Sequence, residues 1–258
     1  MKVTVTILGS GTSQGVPVIA CQCAVCRSSD PRDKRLRTSI LLEYDGQVVV
    51  IDSGPDFRYQ MLRANVNRLD ALVFTHEHKD HVAGLDDIRA FNYVMQQKIP
   101  LYATTHVQNH LKQEFAYVFS GFNYPGIPEV TLHTIHSEFP FELAGLKFIP
   151  IEVLHYKLPV LGFRIGDFTY ITDANYISDE EKEKIKGSRI IVINALRKEK
   201  HISHFTMDEA IATIHEFRPE AAYLTHISHQ LGLQEEINKE LPEGIFCAYD
   251  GLKFEVEA

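Results

Sequence analysis

Four side chains able to hold a divalent cation crowd into six residues: His76, His78, Asp80 and His81, within LVFTHEHKDHVAGL at 72–85. Imidazole nitrogens and carboxylate oxygens are the donors that zinc, manganese and iron favour. The apolar run before His76 predicts a buried strand, and the pattern after His81 predicts a helix. The donors therefore stand at a strand-to-helix turn, where they can converge without long-range folding. The bland alternative is a solvated polar turn. A chance His-x-His-x-Asp-His match in a chain this long is roughly a sub-one-per-cent event, which favours the metal.

The elements that must position these residues are legible around them. Runs rich in Val, Ile, Thr, Phe and Tyr predict strands at 3–9, 38–44, 47–52, 71–76, 100–104, 146–153, 161–166, 168–173, 189–195, 221–227 and 245–250. Helical spacing covers Pro55 to Ala64, His81 to Gln97 and Val107 to Phe119. Ser178 caps a helix to Lys186, and Thr206-x-x-Glu209 forms a capping box for a helix reaching Phe217. The stretch 120–140 has few helix signals and many Pro, Gly and aromatic residues, so it reads as a long loop near a site. No linker or low-complexity segment divides the 258 residues, which read as one domain of mixed sheets with outer helices.

A hydrophobic strand followed by His-x-His-x-Asp-His resembles the metallo-β-lactamase superfamily. The resemblance implies a four-layer αββα sandwich with two active-site metals at one edge. Family members add a His, an Asp and another His from later strand ends, and this chain offers His155, Asp173 and His226 in that order, each after an apolar run. By that match His76, His78 and His155 hold one metal, Asp80, His81 and His226 the second, and Asp173 bridges them. Asp52, in VVVIDSG, corresponds to the family's supporting aspartate, which orients the site from behind the ligands. Gly9-Ser10-Gly11-Thr12 and the last strand fit as well, so the resemblance covers nearly the whole chain. His106, His110, His133, His136 and His215 lack such context and read as surface or core histidines.

Three of the four cysteines form Cys21-x-Cys23-x-x-Cys26, a loop at about 20–27. In a reducing compartment such clustering points to metal before disulfide. A tetrahedral structural zinc needs a fourth ligand, and His229, three residues after His226, is the candidate. Three free thiols are the alternative. Cys247, alone in IFCAY, reads as a buried, inert thiol. The cysteine loop narrows the resemblance to the PhnP-like phosphodiesterases of phosphonate metabolism, which act on 5-phosphoribosyl 1,2-cyclic phosphate. In that group the loop follows the first strand, and a histidine three residues after the last metal ligand completes the zinc site. Ser203-His204-Phe205-Thr206 matches the place of a histidine that reaches the substrate.

The expected cofactors are thus two active-site divalent metals (Zn or Mn, with Fe or Ni also suited to these donors) and one structural Zn. The formal charge is −8, and no basic face suggests nucleic-acid binding. Two dications against Asp80, Asp173 and a hydroxide leave roughly one net positive charge, which suits an anionic substrate. The expected reaction is attack by metal-activated hydroxide on a small cyclic phosphate or phosphodiester. Asp80 and His204 are the residues expected in the chemistry, His204 as general acid. A helix cap or a phosphate-binding cation is the competing role for His204. Arg197 reads equally as a phosphate ligand or a solvated loop charge.

Rival readings use the same ligands. A tRNA 3′-processing nuclease would need a basic arm that is not visible here. A lactamase or thioesterase fits less well, since a secreted lactamase needs a signal peptide. A PqqB-like non-catalytic metal or cofactor carrier shares the cysteine loop, but that group commonly departs from the intact His-x-His-x-Asp-His. The start of the chain lacks a signal-peptide pattern, and no apolar run is long enough to span a bilayer, so the expectation is a cytoplasmic protein with no membrane partner. Dimers are common in the resembled family, so a homodimer is an expectation resting on the resemblance alone.

Overall fold

Apolar runs such as ILL in SILLEY and VVVI in QVVVI, with almost no polar alternation, can be buried only if both faces of their strands are covered. The computed structural model, which describes residues 1–121 and 124–258, meets this demand by stacking two mixed sheets between layers of helices. The first sheet uses β1 (Lys2–Gly9), β2 (Ser39–Tyr44), β3 (Gln47–Ile51), β4 (Ala71–Val73), β5 (Ile99–Ala103) and β6 (Val130–Thr134). The second uses β7 (Phe141–Leu143), β8 (Leu146–His155), β9 (Leu158–Ile165), β10 (Phe168–Ile171), β11 (Tyr176–Ile177), β12 (Ile190–Asn194), β13 (Ala221–Thr225) and β14 (Ile245–Cys247). The last strand, β15 (Lys253–Glu257), returns to pair antiparallel with β1 at the edge of the first sheet.

The side-chain period of two sorts each strand between two cores. Ile40 and Leu42, with Val49 and Ile51, face the second sheet and meet Phe148, Phe163, Phe168 and Tyr170. Leu41, Val50 and Leu72 point the other way, under α2 (Phe57–Ala64), α4 (Arg89–Met95) and α5 (Thr105–Glu114). On the far side α7 (Asp179–Ile185), α8 (Met207–Phe217) and α9 (Gln234–Glu240) cover the second sheet through Ile185, Ile214 and Ile237. The result is the four-layer αββα sandwich that the resemblance implies.

β3, β4, β5 and β6 run parallel, as do β10, β12, β13 and β14. The C-terminal ends of the parallel strands in both sheets open onto one edge. There a tie from Leu161 N to Thr75 O (3.1 Å) joins the sheets. Ligand-bearing turns follow those strand ends, as in other open α/β sheets.

Three expectations are corrected. The helix read from His81 to Gln97 is broken into α3 (Lys79–Val82), a 3₁₀ turn at Leu85–Ile88 and α4. The cause is Gly84, whose N–H donates to Ser53 O (2.8 Å). A Cβ on Gly84 would stand 2.2 Å from Gly54 O, and one on Gly54 would stand 2.0 Å from Asp80 O, so the two glycines let the turn that carries His76 to His81 dock on the loop after β3. The helix read from Val107 to Phe119 starts at Thr105, capped by Thr104. It stops at Glu114 before a separate turn, α6 (Ala116–Phe119). The stretch 120–140 is not one long loop beside the site, for it contains β6. Glu129 meets Ile99 at the N-terminal ends of the parallel strands, the end opposite His76. Phe122 and Asn123 of that stretch lie outside the described residues.

Candidate metal centre

The capping signals place two of the site's supports. Thr206 Oγ1 accepts from Glu209 N and Glu209 Oε2 accepts from Thr206 N, so α8 begins where the sequence predicts and fixes the loop that carries His204. Ser178 Oγ caps α7 by accepting from Glu181 N.

The candidate ligand side chains are built outward from strand ends. His76, His78, Asp80 and His81 follow β4, His155 ends β8, Asp173 follows β10 and His226 follows β13. Among the described residues, non-glycine positive φ is explained at Asn65, Gln96 and Arg218 by helix C-caps. Asp45 and Ala144 sit in hairpin turns. Asp52 (67°), Asp173 (52°) and His226 (54°) have no such role. Each is the left-handed residue that turns the chain sharply off a strand so that its side chain faces the sheet edge. Such strain costs of order 1–3 kcal/mol per residue and clusters at functional sites.

The donor atoms of Asp80, His81, Asp173 and His226 lie within 4.8 Å of one another. Asp173 Oδ2 is 3.2 Å from His81 Nε2 and 3.2 Å from His226 Nδ1, and His81 Nε2 is 3.2 Å from Asp80 Oδ2. A second set joins Asp173 to His155 and His204, with His204 Nδ1 3.8 Å from Asp173 Oδ1. Asp173 therefore belongs to both sets. His76 and His78 stand beside them: ring centroids are 4.6 Å apart, and His78 is 5.1 Å from His155. The sequence grouping put His76 and His78 with His155. The structure gathers them around His155 by ring packing, while His204 takes the nearer place by donor atoms.

Behind the ligands, Asp52 is fully buried. Its Oδ2 takes His81 Nδ1 (2.7 Å) and Thr75 Oγ1 (2.8 Å), and its Oδ1 takes Thr75 N (2.9 Å). Thr75 Oγ1 lies 3.0 Å from His76 Nδ1, and His155 Nδ1 donates to Ser203 O at 2.8 Å. These bonds occupy one nitrogen of each ring and aim the other at the centre. His76 Nε2, His81 Nε2 and His204 Nδ1 are buried without a hydrogen-bond partner. Buried, pre-aimed ring nitrogens facing two carboxylates fit divalent cations. Thr75 and Ser203 carried no sequence signal, since a lone hydroxyl or carbonyl shows its partner only in three dimensions.

The electrostatics agree with that donor set. Burial, with His81 close by, holds His76 well below its ordinary value, and burial also lowers His78 and His226. The lowered rings give up their protons more readily and so can offer lone pairs. His81 is the exception: burial opposes its charge, but Asp80, Asp173 and Asp52 outweigh it and hold its proton well above the ordinary range. Asp173 lies well below the usual carboxylate range, because His226 and His81 outweigh its burial.

The cysteine loop meets the same edge. Cys21 Sγ and Cys23 Sγ both lie 3.3 Å from His229 Nδ1, and these three donors with Cys26 fall within 4.8 Å of one another. Cys23, at the start of α1 (Ala24–Arg27), is lowered to about 6 by the Cys26 backbone N–H and then by His229. Four such donors suit tetrahedral zinc. Cys247 is buried, and burial pushes its thiol up to about 11. Arg197 spends its guanidinium on Gln230 Oε1 and on the carbonyls of Glu199 and Lys200. It ties down its own loop rather than reaching for a phosphate.

With the geometry in place, comparison with known proteins is direct. A family model described as beta-lactamase superfamily domain matches residues 47–227, and the chain belongs to the metallo-β-lactamase superfamily. Within it the chain is PhnP-like. A crystal structure described as a new diphosphatase from the PhnP family shares 43% identity and superposes with a TM-score of 0.93 over 99% of this chain and 98% of that one. Zn²⁺-bound PqqB from Methylobacterium extorquens, at 20% identity and a TM-score of 0.79 over 97% and 99% of the two chains, shares the fold. An octanoyltransferase of Porphyromonas gingivalis is 42% identical over 249 residues, which is 96% of this chain and 50% of that protein. The chain spans about half the length of the curated relatives it matches.

Proposed function

We propose that the protein is a metal-dependent phosphodiesterase acting on a small anionic substrate, of the class that includes 5-phosphoribosyl 1,2-cyclic phosphate. The observation that carries this reading is the clustered set of imidazoles and two carboxylates sharing Asp173, open to a cleft at His78 and His155. Its similarity to a PhnP-family diphosphatase along almost the whole chain supports phosphorus chemistry.

His76, His78, His155, Asp80, His81, Asp173 and His226 would hold two divalent ions, Zn or Mn by donor type. Those ions would supply Lewis acidity and a lowered pKa for bound water. The chain's own residues do the rest. Asp52, Thr75 and Ser203 fix the ring orientations. His204 is nearly buried beside Asp173, and burial, reinforced by His226, lowers it to about 3, so it is neutral in the free site. An anionic phosphate against the ring favours the imidazolium, and the proton can then pass to the departing alkoxide oxygen. Asp80 acts as a ligand and charge partner of His81. Cys21, Cys23, Cys26 and His229 would hold a structural Zn that pins the loop after His226.

The test is turnover by manganese-loaded protein of 5-phosphoribosyl 1,2-cyclic phosphate, 2′,3′-cyclic nucleotides, bis-p-nitrophenyl phosphate and an octanoyl thioester, with His78→Ala as the inactive control. The thioester is included because of the octanoyltransferase match. Preference for the ribosyl cyclic phosphate assigns the protein to phosphonate breakdown, and turnover of generic diesters alone keeps the chemistry but discards that substrate. Thioester turnover without any diester turnover refutes the reading. His204→Ala is expected to lower kcat about 10²-fold, and a change confined to KM would rule out its proton-transfer role.

A further inference from the structure

The β8–β9 hairpin turns on two residues, Tyr156 and Lys157, immediately after His155. Two-residue hairpin turns need positive φ at their first central position, which glycine, asparagine or aspartate usually fills. Here it is a tyrosine at φ 59°, held by the bond from its N–H to Asn175 Oδ1 (2.6 Å). A bulky residue in this region carries about 1–3 kcal/mol of strain. Tyr156 stays 51% exposed, and Ile202, which lines the same cleft, is 66% exposed.

These two side chains form the lips of a cleft of about 530 Å³ whose floor includes His78 and His155. Ser203, next to Ile202, takes the bond from His155 Nδ1, so both lips are anchored to the same ligand. Lys157 Nζ lies 5.3 Å from the Tyr156 ring centroid, and Lys157 is the one Lys or Arg among the described residues lining this cleft. An exposed aromatic face, an exposed aliphatic wall and a single cation therefore meet at the mouth of the metal centre.

We infer that this cleft binds the part of the substrate beyond the scissile phosphate, and that its ligand class is a planar ring carrying an anionic group, as in a nucleotide. The ring stacks on Tyr156 against Ile202, and the anion pairs with Lys157. Aromatic side chains accept planar rings in this way because every such ring offers a π-face. The inference rests on the phosphodiesterase reading for what occupies the centre, but it is tested by binding rather than by turnover.

Calorimetric titration of the manganese-loaded protein with AMP and with ribose 5-phosphate isolates the ring, because both compounds carry the same phosphate. AMP is expected to bind about 10-fold more tightly. Tyr156→Gly suits the backbone, so it should fold with an unchanged or higher Tm while erasing that preference. Lys157→Gln should weaken ADP, which carries an anion beyond the phosphate at the centre, more than AMP. Equal affinity for AMP and ribose 5-phosphate in the wild type, or a preference that survives Tyr156→Gly, overturns the inference. Failure to hydrolyse any phosphodiester would instead overturn the proposed activity and leave the AMP preference standing or falling by itself.

Discussion

Asp52 supports the candidate metal centre without joining it, and replacing it separates stability from metal binding. Asp52→Ala removes the acceptor of three buried bonds, from Thr75 N, Thr75 Oγ1 and His81 Nδ1. The hydroxyl can rotate, but the Thr75 N–H and the His81 Nδ1–H are left in a dry site. Each unsatisfied donor costs about 1–3 kcal/mol, so the loss is about 2–6 kcal/mol. Burial pushes the Asp52 carboxyl up, which means the native protein already bears the cost of burying it. Relieving that cost should bring the net loss to about 2–4 kcal/mol. Asp52→Asn is nearly isosteric and keeps an acceptor for Thr75 N, so its stability loss should be smaller. Its amide, however, turns a donor toward His81 Nδ1. The ring must then carry its proton on Nε2, the nitrogen aimed at Asp80 and Asp173. Metal affinity should fall about 10- to 100-fold in both variants, as for other supporting carboxylates. Urea unfolding of chelator-treated protein measures the first effect, and metal titration by calorimetry the second. If Asp52→Asn binds manganese as tightly as the wild type does, His81 does not depend on Asp52 for its orientation, and the argument fails.

Proton release gives an independent check. His81 holds its proton above the ordinary range while His76, His78 and His226 are lowered, so filling the centre at pH 7 should displace a proton from His81. Because the proton competes with the metal, affinity should rise with pH until the raised pKa of His81 is passed. Calorimetry in buffers of different ionisation enthalpy counts the protons, and a count of zero contradicts the assignment. Gly54→Ala would put a Cβ 2.0 Å from Asp80 O, a backbone contact that cannot swing away. A destabilisation of about 1–3 kcal/mol or more is expected in thermal melts, with metal affinity reduced because Asp80 must move. His229→Ala and Cys23→Ser should each lower the bound zinc by one per chain without removing the active-site metals, as read by elemental analysis. Cys247, buried and raised to about 11, should resist alkylation in the folded protein and react only on unfolding.

Local chemistry was readable without coordinates. His76, His78, Asp80 and His81 announce themselves because their ligand atoms are set by one strand-to-helix turn, and Cys21, Cys23 and Cys26 do so for the same reason. The strands were legible because burial on both faces forces continuous apolar runs, and the starts of α7 and α8 because capping is a bond between near neighbours. His155, Asp173 and His226 gained meaning only through the resemblance, since a single polar residue after a strand is ambiguous.

Tertiary structure decided the rest. Thr75 and Ser203 support the site through contacts to a hydroxyl and a carbonyl that no spacing rule marks. The break at Gly84 came from a loop 30 residues earlier pressing on the turn, a contact that helical periodicity cannot register. Arg197 was captured by Gln230, and the part of 120–140 that precedes β6 was drawn to the far end of the sheet by the parallel pairing of β5 with β6. The Tyr156 hairpin reached the mouth of the cleft because β8 ends at His155, in the candidate metal centre. Sequence determines which groups can bind and where the chain must turn. Which distant groups meet is set by sheet order, because two sheets share one edge only after they have folded together.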